Sequence, residues 1–126
     1  MIGYVTLGTN DLERASAFYD ALFAEVGAKR VMNLPKGIAW GVSMQQPIIG
    51  ITAPFDGQPA TAGNGTMIAL IVDSPEAADR VHAKALELGA KDEGAVGPRG
   101  DTGFYGGYFR DLDGNKLNCF CMRKPG

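Results

Sequence analysis

The groups in this chain that could do chemistry are few. His82 is the only histidine, so any scheme that moves a proton through an imidazole rests on it alone, and no Ser–His–Asp triad assembles around it. It stands beside Ala78, Val81 and Ala85 at helical spacing, which points to a structural or surface role. Cys119 and Cys121 are two apart, so on a strand they share one face. There they either chelate a soft metal or pack as small apolar groups, and packing is the preferred reading. Arg99 and Asp101 lie in GAVGPRGDTG, a stretch with four glycines in ten residues. A flap there would let Arg99 clamp a carboxylate or phosphate, against the plainer reading of solvated loop charges. Asn118 and the phenols of Tyr4 and Tyr108 offer hydrogen bonds; a phenol acts as a proton donor near neutral pH only where its pKa is depressed.

The elements that must position these groups follow from the pattern. Residues 103–122, GFYGGYFRDLDGNKLNCFCM, read as strands Phe104–Arg110 and Lys116–Met122 around a turn, with Gly114 supplying the positive φ such turns need. Alternation puts Lys116, Asn118, Phe120 and Met122 on one face and Leu117, Cys119 and Cys121 on the other. At the start, residues 2–8 alternate as a strand with Ile2, Tyr4 and Thr6 on one face. Asn10, with Glu13 completing a capping box, opens a helix to about Val26 whose stripe is Ala15, Phe18, Tyr19, Leu22, Phe23 and Val26. Gly27 stops it. Strands are expected at Lys29–Leu34, Ile38–Met44 and Ile48–Thr52. After an aperiodic run, Met67–Val72 reads as a strand, Ser74 and Pro75 open a second helix that ends at Gly89, and Glu93–Gly103 reads as a glycine-rich loop.

The two halves match. Each helix ends in Gly-Ala-Lys (Gly27-Ala28-Lys29 and Gly89-Ala90-Lys91), about 62 positions apart. This is a βαβββ unit used twice in an α+β domain spanning 1–126, with modules at 1–53 and 67–126 and a linker at 54–66. Helices are expected outside a curved mixed sheet whose opposite, concave face encloses a cavity.

Composition narrows the partners. With 126 residues, 45% hydrophobic and 21% charged, the chain reads as an ordinary soluble globular domain. A net charge of −2 gives no basic stripe, so neither nucleic acid nor an anionic membrane is an expected partner. No apolar run approaches the ~20 residues of a membrane span, and Met1-Ile2-Gly3-Tyr4 already reads as strand, so no leader is expected. The two thiols are too close for a relaxed disulfide, which suits a reducing cytoplasm.

Three stretches together resemble the vicinal oxygen chelate superfamily, which includes glyoxalase I, the bleomycin and fosfomycin resistance proteins and the extradiol dioxygenases. They are Tyr4–Gly8 followed by Asn10–Ala15 and Phe18-Tyr19; Asp73–Ala77; and Phe109–Leu117. The resemblance covers essentially the whole chain. It implies a glyoxalase/bleomycin resistance-like fold and, in metal-dependent members, a divalent ion held by two histidines and a glutamate. Those positions fall on Tyr4, Met67 and Asn118, with an optional carboxylate falling within Ile49–Ile51. A phenol, a thioether and a neutral amide do not hold such an ion, so neither a metal nor another cofactor is expected.

The resemblance also implies that Tyr4, Thr6, Met67, Tyr108 and Asn118 converge on the cavity. Trp40 would wall it, or else serve as a core or subunit-interface aromatic. The leading expectation is a metal-independent, glyoxalase- or bleomycin-resistance-like protein that binds a small molecule through these residues and Arg99, and that forms a homodimer as members of the superfamily commonly do. The alternative is an enzyme: a metal-free lyase or isomerase using Tyr4, Tyr108 or Asn118, or a glyoxalase-like enzyme of the lactoylglutathione lyase type. A structural or regulatory subunit is a third class.

Overall fold

The structure, a computed structural model, describes residues 1–123; the last three residues of the expected second module lie outside them. It falls into two compact units, Met1–Ala62 and Gly63–Gly126.

The first unit runs β1 (Tyr4–Gly8), α1 (Leu12–Ala24), β2 (Lys29–Leu34), β3 (Gly37–Gly41) and β4 (Ile48–Thr52). Its sheet has the order β1-β4-β3-β2, with β1 parallel to β4 and the other pairs antiparallel. The helix forms where the apolar stripe predicts, and Ala15, Phe18, Tyr19, Leu22 and Phe23 are all buried. Each large side chain taken out of water there contributes about 1.5–3 kcal/mol. Gly27 closes the helix at φ 76°, a conformation that favours glycine.

The cap differs from expectation. Asp11, not Asn10, accepts the hydrogen bond from the Arg14 backbone N–H at 3.0 Å. Asn10 is held elsewhere: its Oδ1 accepts from the Ala60 backbone N–H at 2.7 Å and its Nδ2 donates to the Ala60 carbonyl at 3.1 Å. Its side chain fastens the aperiodic run to the helix start, so the expected capping box with Glu13 is replaced by a cap one residue later.

The second unit repeats the plan with β5 (Ile68–Ile71), α2 (Pro75–Glu87), β6 (Lys91–Pro98), β7 (Phe104–Arg110) and β8 (Lys116–Met122), in the order β5-β8-β7-β6. Here Ser74 caps the helix as expected, accepting from the Ala77 N–H at 3.1 Å, with Pro75 in the first turn. The β7–β8 hairpin has the predicted limits. Its turn is pinned by Asp111, whose Oδ1 accepts from the backbone N–H groups of Asp113 and Asn115 at 2.9 Å each. The glycine-rich stretch is the main departure: most of it is strand, β6, paired antiparallel with β7 through two register shifts. Low side-chain content hid the strand, because a glycine contributes backbone hydrogen bonds but no alternation. Both units are therefore βαβββ modules of an α+β fold.

Candidate functional site

In the second unit α2 covers one face of the sheet. Cys119 Sγ lies 3.5 Å from the Ala78 carbonyl, and the Tyr105 hydroxyl donates to Asp79 Oδ1 at 2.7 Å. His82, 5% exposed, places Nε2 at 3.2 Å from the Tyr108 carbonyl and 3.3 Å from Asp92 Oδ1, with its ring edge-on to Phe109. It is a packed residue tying helix to sheet. Burial pushes the Cys119 thiol up to about 11, so near neutral pH it is a protonated packing group rather than a nucleophile. Cys121 shares that face and is raised in the same direction, again by burial.

The opposite face of this sheet carries the candidate site. Register pairs Tyr108 with Asn118 and Gly106 with Phe120 across β7 and β8, and Asn118 with Ala69 of β5. Asn118 is 1% exposed, and its Nδ2 donates to the Gly107 carbonyl at 3.0 Å. Beside it, Phe104 and Phe120 stack with centroids 5.2 Å apart and planes 4° from parallel. Met67 lies just before β5 and is exposed.

Arg99, at the end of β6, folds back over the Tyr108 ring, its guanidinium carbon 5.6 Å from the centroid. Backbone carbonyls hold it there: Nη2 donates to Ala95 at 2.6 Å, and Nη1 to Gly97 at 3.1 Å and Pro98 at 3.4 Å. Two glycines of β6 line the Arg99 and Tyr108 side chains. A Cβ at Gly94 would stand 3.1 Å from the Tyr108 ring and 3.5 Å from Arg99, and one at Gly97 would stand 3.5 Å from Arg99. Lys116, on β8, also reaches this ring, its ammonium 5.3 Å from the Tyr108 centroid. Arg110, the next cation along, is already paired: its Nε donates to Glu93 Oε1 at 2.8 Å, and this bond holds the Glu93 carboxyl below its usual range.

In the first unit, Tyr4 and Thr6 share the face turned away from α1, Tyr4 being 67% exposed. A Cβ at Gly50 would meet Leu34 Cδ1 at 2.9 Å and Thr6 Cγ2 at 3.3 Å, so those two side chains close over the glycine. Trp40 does not join them. It is 1% exposed and lies on the helix side, its ring 6.0 Å from that of Tyr19 and 5.9 Å from that of Phe23, with Nε1 donating to Asp20 Oδ1 at 2.9 Å. Of the three roles open to it, the structure gives Trp40 the core one.

Thus Tyr108, Asn118 and Arg99 come together on one face of the second unit, Tyr4 and Thr6 share a face of the first, and Trp40 packs in the core. Sequence reasoning missed Lys116, Phe104 and Phe120 as site residues. Strand parity already placed Lys116 and Phe120 beside Asn118, and Phe104 follows from pairing β7 with β8. As to a metal, the three expected ligand positions hold an exposed phenol at Tyr4, a thioether at Met67 and a neutral amide at Asn118. Among the described residues no group of three or more His, Cys, Asp or Glu side chains could hold an ion. These residues do not fit a divalent cation of the hard or borderline kind.

Residues 1–119 match the model of the Glyoxalase/Bleomycin resistance protein/Dioxygenase superfamily. Among solved structures, a glyoxalase/bleomycin resistance protein from Albidiferax ferrireducens T118 is 36% identical at TM-score 0.85, covering 96% of this chain and 98% of that one. A hypothetical protein from S. aureus is 28% identical at TM-score 0.75, covering 94% and 91%. A lactoylglutathione lyase from Agrobacterium tumefaciens shares the fold at 21% identity and TM-score 0.70, covering 96% and 92%. No curated protein matches the chain. No helix among the described residues is long and apolar enough to cross a membrane.

Proposed function

Because this chain belongs to the glyoxalase/bleomycin resistance protein/dioxygenase superfamily, we propose that it binds a small organic molecule on the uncovered faces of its sheets, without a protein-held metal. The observation that carries this reading is the make-up of the second unit's open face. A buried amide at Asn118 and a phenol at Tyr108 stand beside stacked aromatic rings, the mixture of a few fixed polar groups and apolar surface that small-molecule sites use. Nothing in that mixture requires an ion. Within the second unit Met67 would supply adaptable apolar contact, and the first unit's own face offers Tyr4 and Thr6 as hydrogen-bonding groups.

Homodimerisation belongs to the same proposal, and sedimentation of the purified chain tests it. So does a cytoplasmic location, supported only by two free thiols suited to a reducing compartment.

The test of binding is a small-molecule screen read by backbone amide shifts. Hits should move Asn118, Tyr108 and their neighbours and leave Cys119 and His82 on the helix side unmoved. Hits confined to other surfaces would refute the site. An enzymatic reading, as a lyase or isomerase of the superfamily, would route a proton through Tyr108 or Tyr4. The two readings part on Tyr108→Phe and Tyr4→Phe made separately: one of the two would abolish turnover, whereas simple sequestration would weaken by only about three- to tenfold for each lost hydrogen bond.

A further inference from the structure

The chain leaves β4 at Thr52, which pairs with Gly8 of β1, and then comes back to the same glycine. A Cβ at Gly8 would stand 3.0 Å from the Ala60 Cβ, so the Ala60 methyl sits over it. Residues 53–60 are therefore a loop whose two ends meet at the close of β1, the build of an Ω-loop. Gly8 has the same strand parity as Tyr4 and Thr6, which puts Ala60 on the open face of the first unit, just beyond Thr6. Tyr4 and Gly8 lie roughly 13 Å apart along β1 at strand spacing, and the loop closes that run at its far end.

The two ends of the loop are held differently. Near its start, the Ala53 N–H donates to the Lys36 carbonyl at 3.0 Å. Lys36 Nζ donates to the Phe55 carbonyl at 3.1 Å and lies 5.7 Å from the Phe55 ring centroid. The returning end is gripped by the Asn10 side chain, which accepts from the Ala60 N–H and donates to the Ala60 carbonyl as a neighbouring strand would. Both bonds are open to water, where a hydrogen bond contributes little net stability. Phe55 is 96% exposed and residues 56–59 are exposed as well, so little apolar burial opposes release of this end.

We propose that residues 53–60 form a latched lid that ends the first unit's open face at Gly8, and that release of the Asn10–Ala60 latch lengthens the face and admits a longer ligand. The proposal rests on reading that face as a ligand surface and adds what limits the ligand's length. A plain connector toward the second unit would have no reason to return to Gly8.

The experiment uses two phenyl alcohols of different length, benzyl alcohol and 6-phenylhexanol, titrated into the full chain and followed by amide shifts. In the parent both should shift Tyr4 and Thr6 and bind within about threefold of each other, since the lid stops the added chain. Asn10→Ala and Ala60→Pro open the latch from opposite sides: the first leaves the α1 cap at Asp11 in place, and the second removes the N–H that Asn10 accepts. Each should strengthen 6-phenylhexanol at least about tenfold and leave benzyl alcohol unchanged. Each should also speed chymotrypsin cleavage after Phe55 at least about tenfold, with no new cut in the rest of the chain. Asn10→Asp, which keeps the acceptor and loses the donor, should fall between. Cleavage after Phe55 at the parent rate in both latch variants, or faster only together with cuts across the chain, would overturn the lid. An affinity ratio of the two alcohols that is the same in parent and variants would overturn the length limit and leave the face standing as a ligand surface. No shift at Tyr4 or Thr6 with either alcohol at millimolar concentration, in any of these proteins, would overturn the proposal and that reading of the face together.

Discussion

The Asn118 side chain donates to the Gly107 carbonyl at 3.0 Å, so the residue at the centre of the open face also fastens β8 to β7. Asn118→Ala should then cost stability as well as binding. The Gly107 carbonyl keeps the Cys119 thiol at 3.9 Å, so losing the amide bond should lower the unfolding free energy by about 0.5–1.5 kcal/mol, measured by urea denaturation. Small-molecule binding on this face should fall in parallel.

Trp40 offers the opposite test, since it lies beneath α1 and away from the open face. Trp40→Phe keeps an aromatic among Tyr19 and Phe23 and forfeits the bond to Asp20, an expected cost of about 1 kcal/mol. Trp40→Ala should cost about 3–5 kcal/mol. Binding to the Trp40→Phe protein should match that of the parent; a clear loss would return Trp40 to the ligand site.

Ser16 is buried in α1 with a hydroxyl that has no hydrogen-bond partner. Ser16→Ala removes an unsatisfied group and improves helix propensity by roughly 0.5 kcal/mol. The variant should be more stable by about 1 kcal/mol, seen as a higher melting temperature. A lower one would show that the hydroxyl has a partner in solution.

Two groups set the pH limits. The hydrogen bond from Arg30 holds the Asp20 carboxyl below its ordinary 3.8. Its stabilisation is therefore present above that value and is lost as the pH falls through the lower folded value. Asp20→Asn should flatten the acid limb of a stability–pH curve. Cys119 has the reverse sign. Folded, it keeps its proton to about 11 against an ordinary 9.0, so stability should be full below 9 and decline between 9 and 11. Cys119→Ala should shrink that decline, and Cys119 in the native protein should resist alkylation at pH 8.

Much of this was legible in the sequence, because the signals were local. The β7–β8 hairpin came from alternation and a turn glycine, the second helix from Ser74 and Pro75, and the first helix's buried face from its apolar stripe. Strand parity put Tyr4 with Thr6 on one face and Asn118 opposite the cysteines, and the family resemblance turned those faces away from the helices. What escaped depends on distant partners. Asn10 and Asp11 are both good caps, and only the tie to Ala60 leaves Asp11 free to be the one. The strand β6 has too little side chain to alternate, and Gly94 makes sense only once the Tyr108 ring is seen 3.1 Å from where its Cβ would stand. The faces of β3 were beyond reach too: nothing beside Trp40 in the chain says which side Tyr19 and Asp20 will approach from.

The most direct test of a metal-free ligand site is the binding of one open-face hit before and after exhaustive chelation, with metal content measured on the same sample. A metal-free site should show an unchanged dissociation constant, unchanged shifts at Asn118 and Tyr108, and no divalent metal at stoichiometric level. A metal present at one per chain, whose removal abolishes binding and whose return restores it, would contradict it.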